Sequence, residues 1–362
     1  MRRLRALLLA TACVLPAVAT ATATASAATT VPLTTVTADT PLSAYGGWVV
    51  WSEQDPDGRW ALVAWHDGAR TRLAAAPRSV PFDADVGPDA HGRPVVTFSR
   101  CAVDPSPREF DQPWSTARGC RLDSWDLARG REDVLAVPRP AGASDSTPSR
   151  WRGRVAFQRR TAGADVAQVM VEDLATHRLR RLPHGAVPHH CPYATGCAKA
   201  RYRGEVGELD LGARTLAFSW HVQAPSVEGA GAGWELRADA LGGGATVRAG
   251  SGYVSGACGG RAPFSPNATA GGVAFLDRTY KCEGVEGTIT ATAVTSGVLS
   301  TARAPDGGVA WRIARDGAST YAVLGPGHVG AEPLAPGALR LVRLDGLKLT
   351  SAGRRATTPF FE

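Results

Sequence analysis

Six cysteines stand out among the residues whose types and spacing could do chemistry: Cys101, Cys120, Cys191, Cys197, Cys258 and Cys282. A seventh, Cys13, lies in an apolar N-terminal run. Zinc sites draw thiolates from close pairs such as C-x-x-C, and this chain has none. An even set in a chain with an export leader reads instead as three disulfides, whose pairing the spacing alone leaves open. His184, His189 and His190 cluster beside Cys191, Tyr193, Lys199, Arg201 and Tyr202. Two or three imidazoles could hold a transition metal. No strand or helix spacing sets them on one side, however, and the next acid is Glu205, so a polar exposed loop is the expectation. Glu109 and Asp111 share a segment with Arg100, Arg108 and Trp114. Paired carboxylates can do general acid and base work on a glycosidic bond, but a solvated loop has the same composition. Glu53 to Gly58 starts like a calcium loop, yet Ala64 stands where the closing glutamate is required. The chain carries no G-x-S-x-G elbow, no H-E-x-x-H, no P-loop and no dinucleotide fingerprint. The residues therefore predict no cofactor and no metal, and they favour binding over catalysis.

The elements that must position these groups are short strands. From Val31 onward no helical periodicity of useful length occurs, and apolar runs alternate with Gly, Asp and Pro turns. One run repeats. Trp48-Val49-Val50-Trp51 returns as Val95-Val96-Thr97-Phe98, Val155-Ala156-Phe157, Leu216-Ala217-Phe218, Val273-Ala274-Phe275 and Val309-Ala310-Trp311. Each follows a turn and ends in an aromatic. Consecutive apolar residues mark a strand covered on both faces, since a half-exposed strand would alternate. A third strand and a tight hairpin follow most copies, as at His66-Asp67-Gly68, where glycine supplies positive φ cheaply. Four antiparallel strands repeated at this interval predict an all-β chain forming a single β-propeller.

A seventh, weaker copy is read over Leu339 to Leu344, Leu347 to Thr350 and Arg354 to Thr358. No fourth strand follows it. Val31 to Thr37 is an orphan strand ahead of the first full repeat, and a ring needs one strand to bridge its termini if it is to hide its edges. The expectation is seven four-stranded blades closed by the N-terminal strand. Six blades, with residues 339–362 as a tail, is the alternative.

The stretch Phe82-Asp83-Ala84-Asp85-Val86-Gly87-Pro88-Asp89-Ala90-His91-Gly92-Arg93-Pro94-Val95-Val96-Thr97-Phe98 resembles the repeat of the TolB-like, WD-like propeller family, in a secreted, actinobacterial-type member. Arg261 to Asn267 with Gly272 to Phe275 is similar to it as well. The resemblance covers nearly the whole mature chain, although several copies lack the Ser-Pro-Asp-Gly turn and the small α/β domain of TolB itself is absent. It implies the propeller fold and a bias toward protein binding, and it maps no catalytic residues. Some propellers of this kind are polysaccharide-processing enzymes, so an extracellular lyase or hydrolase with its site in the axial pocket is the alternative function.

Blade topology sorts the loops. Connections between second and third strands, and between blades, share one face, and every long insertion falls there. All six cysteines lie in or beside those insertions. On that layout Cys101 is expected to pair with Cys120, Cys191 with Cys197 and Cys258 with Cys282. Long ordered loops on a rigid scaffold are where binding usually sits. The candidate ligand-binding residues on this face are Arg100, Trp114, Arg159, His189, His190, Tyr193, Arg201, Trp220, His221, Arg278 and Tyr280. A redox-tuned envelope factor, which would need a reducible disulfide, is a third reading.

The N-terminus carries a leader. Arg2, Arg3 and Arg5 precede an apolar core from Ala6 to Ala19, and Ala25-Ser26-Ala27 has the form of a signal-peptidase site, so residues 1–27 are expected to be cleaved and 28–362 to form the propeller. Ala10-Thr11-Ala12-Cys13 can also be read as a lipoprotein box. No later run approaches the ~20 apolar residues of a membrane helix. Losing the three leader arginines takes the formal net charge from +7 to +4. The remaining charge is dispersed, without the basic patches of a nucleic-acid binder. Lysine occurs only at 199, 281 and 348, the bias of a GC-rich genome. The expected product is a secreted monomer that binds an unidentified protein or envelope glycan.

Overall fold

The computed structural model describes residues 28–106, 116–184, 203–223, 232–242, 247–254, 260–270, 272–281, 284–293, 298–304, 308–327 and 338–354. Among them every regular element is a strand, and no helix is long and apolar enough to cross a membrane. The first strand, β1 (Thr29–Val36), stands apart from its sequence neighbours. Blade 1 is β2 (Ser43–Tyr45), β3 (Trp48–Gln54), β4 (Trp60–His66) and β5 (Ala69–Arg72). Blade 2 is β6 (Asp85–Pro88), β7 (Pro94–Arg100), β8 (Arg121–Asp126) and β9 (Arg131–Val134). Blade 3 is β10 (Ser144–Trp151), β11 (Arg154–Arg160), β12 (Gln168–Asp173) and β13 (Arg178–Leu182). Blade 4 is β14 (Arg203–Leu211), β15 (Thr215–Gln223), β16 (Ala232–Ala240) and β17 (Val247–Val254). Blade 5 is β18 (Gly260–Ala268), β19 (Gly272–Lys281), β20 (Gly284–Ala293) and β21 (Val298–Arg303). Blade 6 is β22 (Val309–Asp316), β23 (Ser319–Gly325) and β24 (Leu339–Asp345), completed on its outer edge by β1. A last strand, β25 (Thr350–Arg354), adds to the outside of blade 5 along β21.

The inner strands β2, β6, β10, β14, β18 and β22 touch in sequence, and β22 returns to β2. The ring is therefore closed with six blades. The seven-blade expectation is corrected, and its closing strand is retained. The reason is local. Only residues 304–308 separate β21 from β22, so no first strand fits ahead of Val309-Ala310-Trp311. That run takes the inner position itself, and β23 and β24 move inward by one place. Leu339 to Leu344, read as a seventh copy or a tail, is the third strand of blade 6. The Leu347–Thr350 and Arg354–Thr358 strands expected for that copy are replaced by β25, so far as the described residues reach.

Packing follows from the repeat. Val49, Val50 and Trp51 of β3 are buried, as are Val96 and Phe98 of β7, and Val155, Ala156 and Phe157 of β11. An apolar cluster lies at each junction, joining Val50 and Leu62 to Phe82 and Phe98 between blades 1 and 2, for example, and Trp51 to Trp311 and Leu341 between blades 1 and 6. Fully burying such side chains stabilises by roughly 1.5–3 kcal/mol each. Gly87 shows how close the sheets come, because a Cβ there would lie 2.0 Å from the Arg150 carbonyl oxygen of the next blade.

A polar belt runs around the axis. Each inner strand, or the turn that ends it, offers one side-chain oxygen to a backbone N–H of the following blade. Ser43 Oγ accepts from Val86 at 3.0 Å, Asp85 from Arg150 at 3.3 Å and Ser149 from Leu211 at 2.8 Å. Asp210 accepts from Ala268 at 2.5 Å, Asn267 from Arg315 at 2.7 Å and Asp316 from Gly47 at 2.7 Å. Six bonds thus close the circle, and they satisfy five inner-strand amides that have no fifth strand to pair with and the Gly47 amide in the turn after β2.

Candidate functional site

The site is built where the second strands end on the long-loop face. There the aromatic core stops and the backbone turns outward, so blades 2, 3 and 5 each place an arginine over a ring and blade 4 a neutral histidine. Arg100 Nε and Nη2 donate to Glu132 at 2.9 and 2.8 Å, with the guanidinium 5.0 Å from the centre of Phe98. Arg159 forks onto Asp145 at 2.7 and 2.8 Å above Phe157. His221 stacks on Trp234 at 3.9 Å and 6°, and burial depresses its pKa to about 3. Arg278 reaches Asp39 at 3.0 Å and the Trp311 carbonyl, above Phe264. Tyr280 lies beside Arg278, and burial raises its phenol.

Of the expected ligand contacts, Arg159, His221 and Arg278 are thus buried and committed to neighbours, and Trp220 is 0% exposed in the junction of blades 3 and 4. Arg100 and Tyr280 are half-buried. Trp114, His189, His190, Tyr193 and Arg201 lie outside the described residues, as do Glu109, Asp111, Cys191, Cys197, Cys258 and Cys282. Cys101 and Cys120 form the expected disulfide. His184 stacks on Trp220 at 5.1 Å.

Three features escaped sequence reading. The first is at the axis. Arg312 on the inner strand of blade 6 donates to Asp39, ahead of blade 1, at 2.6 Å, and also to Glu208 on blade 4. Blade 5 lies between blades 4 and 6, so this side chain passes in front of it, above Phe264. Burial would push the Asp39 carboxyl up, but Arg278 and Arg312 outweigh burial and hold it below the usual range. Arg312 remains charged for the same reason. The second is a pair of belt carboxyls. Burial lifts Asp85 to about 6, and burial with the nearby Asp85 charge lifts Asp210 well above the ordinary range.

The third is a cavity of about 140 Å³ on the long-loop face, lined among others by Arg118, Ser144, Arg160, Thr161, Asp165 and Arg203. The disulfide holds its first wall. Arg118 pairs antiparallel with Val103 at 3.0 and 3.1 Å, next to Cys101, and the Cys120 carbonyl accepts from the Asp145 amide at 3.0 Å. Arg160 holds the opposite rim, donating to the carbonyls of Ala164, Asp165 and Gly204 and to Glu205. No sequence signal links Arg118, Arg160 and Arg203, because each is brought to the cavity by a different blade.

No protein-family model matches the sequence, and no curated protein matches it. Among solved structures, TolB from Acinetobacter baumannii is similar at 12% identity and TM-score 0.42, over 83% of this chain and 64% of that one. A puromycin-hydrolyzing peptidase from Mycobacterium tuberculosis aligns at 16% identity and TM-score 0.39, over 89% of this chain and 53% of that one. The β-propeller domain of the Trilobed protease from Pyrococcus furiosus aligns at 8% identity and TM-score 0.39, over 90% and 97%. The chain thus spans less than two thirds of the length of the first two. By its own strand order, the chain is a six-bladed β-propeller closed through its N-terminal strand.

Proposed function

We propose that this chain is an exported, non-enzymatic binding module that takes a protein or an envelope glycan on its long-loop face. The observation that carries this reading is the asymmetry of the two faces. The hairpin turns of one face are short, as at Gly46–Gly47, Asp67–Gly68 and Arg152–Gly153. The other face carries the stapled segment between Cys101 and Cys120 and the polar cavity beside it. Export accords with the leader, and cleavage after Ala27 would leave the closing strand β1 whole.

The alternative, a polysaccharide lyase or hydrolase at the axis, draws support from the cluster of Asp39, Glu208, Arg278, Arg312 and Tyr280. The pairing there weighs against it. A general acid needs a carboxyl poised near the working pH, whereas Asp39 is held ionised between two arginines, and Asp85, the belt carboxyl raised to about 6, is buried and bonded to the blades on either side. Pull-down from envelope extracts tests the two readings together. Arg118→Glu with Arg203→Glu should abolish capture, whereas Arg129→Glu on the opposite face should leave it intact. Capture that survives the double substitution, or polysaccharide turnover that Glu208→Gln removes, would overturn the binding reading.

A further inference from the structure

We propose that residues 37–42 form a strap over the axis, latched by Asp39, whose release lets the strap and the closing strand β1 open together while blades 2 to 5 stay folded. The proposal goes beyond the binding reading above and does not depend on it.

The strap follows from the way the ring closes. β1 lies on the outer edge of blade 6 and β2 on the inner edge of blade 1, so the chain crosses the width of a blade between Val36 and Ser43. From β1 to β22 is three strand spacings, roughly 14 Å, with the step to β2 still to come. Seven residue steps reach at most about 25 Å. The segment thus has little slack, and it forms no strand or helix of its own. Pro41 has no N–H to donate and biases Thr40 toward an extended backbone. Among the described residues no backbone-to-backbone hydrogen bond holds Ala38 to Pro41. Side chains have to hold this segment instead.

Asp39 is the main tie. Its carboxylate accepts from Arg278 Nη2 at 3.2 and 3.0 Å and from Arg312 Nε at 2.6 Å. Arg312 also donates to Glu208, whose second oxygen accepts from the Ser265 amide at 2.5 Å. The strap is thereby joined to blades 4, 5 and 6. One residue on, the Thr40 hydroxyl donates to the Ser52 carbonyl at 3.1 Å and accepts from the Ser52 amide at 3.2 Å, a tie to blade 1. Leu42 packs against the junction of blades 6 and 1.

The members of this network are held unequally. Arg278 and Arg312 stand on strands, their side chains 5% and 11% exposed, above Phe264. Asp39 stands on the strap, and its side chain is 22% exposed. The acid is therefore the member that can leave. Two arginines and two acids balance one another there. Without Asp39 both arginines face the single carboxylate of Glu208, and a buried charge that loses its partner is strongly destabilising. Release thus disrupts the whole cluster and frees the strap from three blades at once. What remains is the Thr40 tie, the Leu42 contact and the pairing of β1 with β24.

Hydrogen exchange of the mature chain, read peptide by peptide, tests this, because local opening shows as faster exchange. Asp39→Asn keeps the shape of the side chain and removes its charge. Exchange over residues 29–42 and 339–345 should become about tenfold faster or more, while 94–100 and 154–160 stay unchanged. Arg278→Gln should loosen the same segments. The double variant should loosen them no further than Asp39→Asn alone, since both substitutions break one latch. Unchanged exchange over 29–42 in Asp39→Asn, or additive effects in the double variant, would overturn the latch. Faster exchange across 94–100 and 154–160 as well, or a variant that does not fold, would show that the cluster holds the whole ring and would overturn the local opening.

Discussion

Asp85 shows what single residues do in this molecule. It accepts from the Ser43 hydroxyl at 2.6 Å and from the Arg150 amide, so it ties three blades together. Its burial also makes it a proton-binding group, with a pKa near 6 in the folded state. The linkage sign follows. A carboxyl raised on folding favours the protonated native state, so its contribution is present below the unfolded value near 4 and is lost as pH rises through about 6. Asp85→Asn keeps an acceptor and cannot ionise. Its urea midpoint should rise relative to the parent between pH 4 and pH 7, and an equal offset at both pH values would show that Asp85 is not the titrating group. His221 acts in the opposite sense. It is held neutral by burial, and its contribution is lost as pH falls below about 6.5 toward 3. Both proteins retain His221, so the difference between them reports Asp85 together with Asp210, whose carboxyl the Asp85 charge raises. The same scale explains why the expected ligand residues turned out buried. Arg159 and Arg278 follow the aromatic at the end of a second strand, and the chain has not yet left the blade there. Their charge is matched within the protein, by Asp145 and Asp39.

Among the elements, β1 decides most. It pairs antiparallel with β24 from Thr29–Asp345 to Val36–Leu339, and Val36 enters the junction of blades 6 and 1. Without it β24 becomes an exposed edge, a template for association. Deleting residues 28–37 should give a chain that melts far below the parent and self-associates on gel filtration. A synthetic peptide of residues 28–38 should restore both properties. A deletion variant that melts like the parent would show that the ring does not need this strand. Outer strands elsewhere carry charge for the same physical reason, with Arg70 and Arg72 on β5 and Arg178, Arg180 and Arg181 exposed on β13. These arginines discourage sheet-to-sheet pairing and call for no ligand to explain them. The loop between β7 and β8 is the other decisive element, because its disulfide fixes where Arg118 stands.

For the whole molecule, scaffold and site are separable. Replacing Cys101 and Cys120 by serine removes a loop constraint worth about 3 kcal/mol for a closure of this length. The six junction clusters and the polar belt are untouched by it. The double variant should therefore still unfold cooperatively, with a lower unfolding free energy, and it should capture envelope material more weakly because the loop that carries Arg118 is no longer held. Parallel denaturation and pull-down measure the two effects. A loss of stability with unchanged binding would dissociate the staple from the site.

Legible along the chain were the all-β class, the second strand of blades 1 to 5, the tight hairpins, the closing N-terminal strand and one disulfide. Each of these has a local signature. A strand sandwiched between sheets must be apolar at consecutive positions, as Trp48 to Trp51 are, and a hairpin needs positive φ, as at Asp67-Gly68. Blade number was not legible in the same way. The run at Val309 to Trp311 looks like every other copy, and only its neighbours make it an inner strand. The cavity and the axial network were decided by tertiary structure alone. Arg118, Arg160 and Arg203 meet, and Arg312 reaches Glu208, because closing a ring brings together residues that are distant along the chain and that no short-range pattern relates.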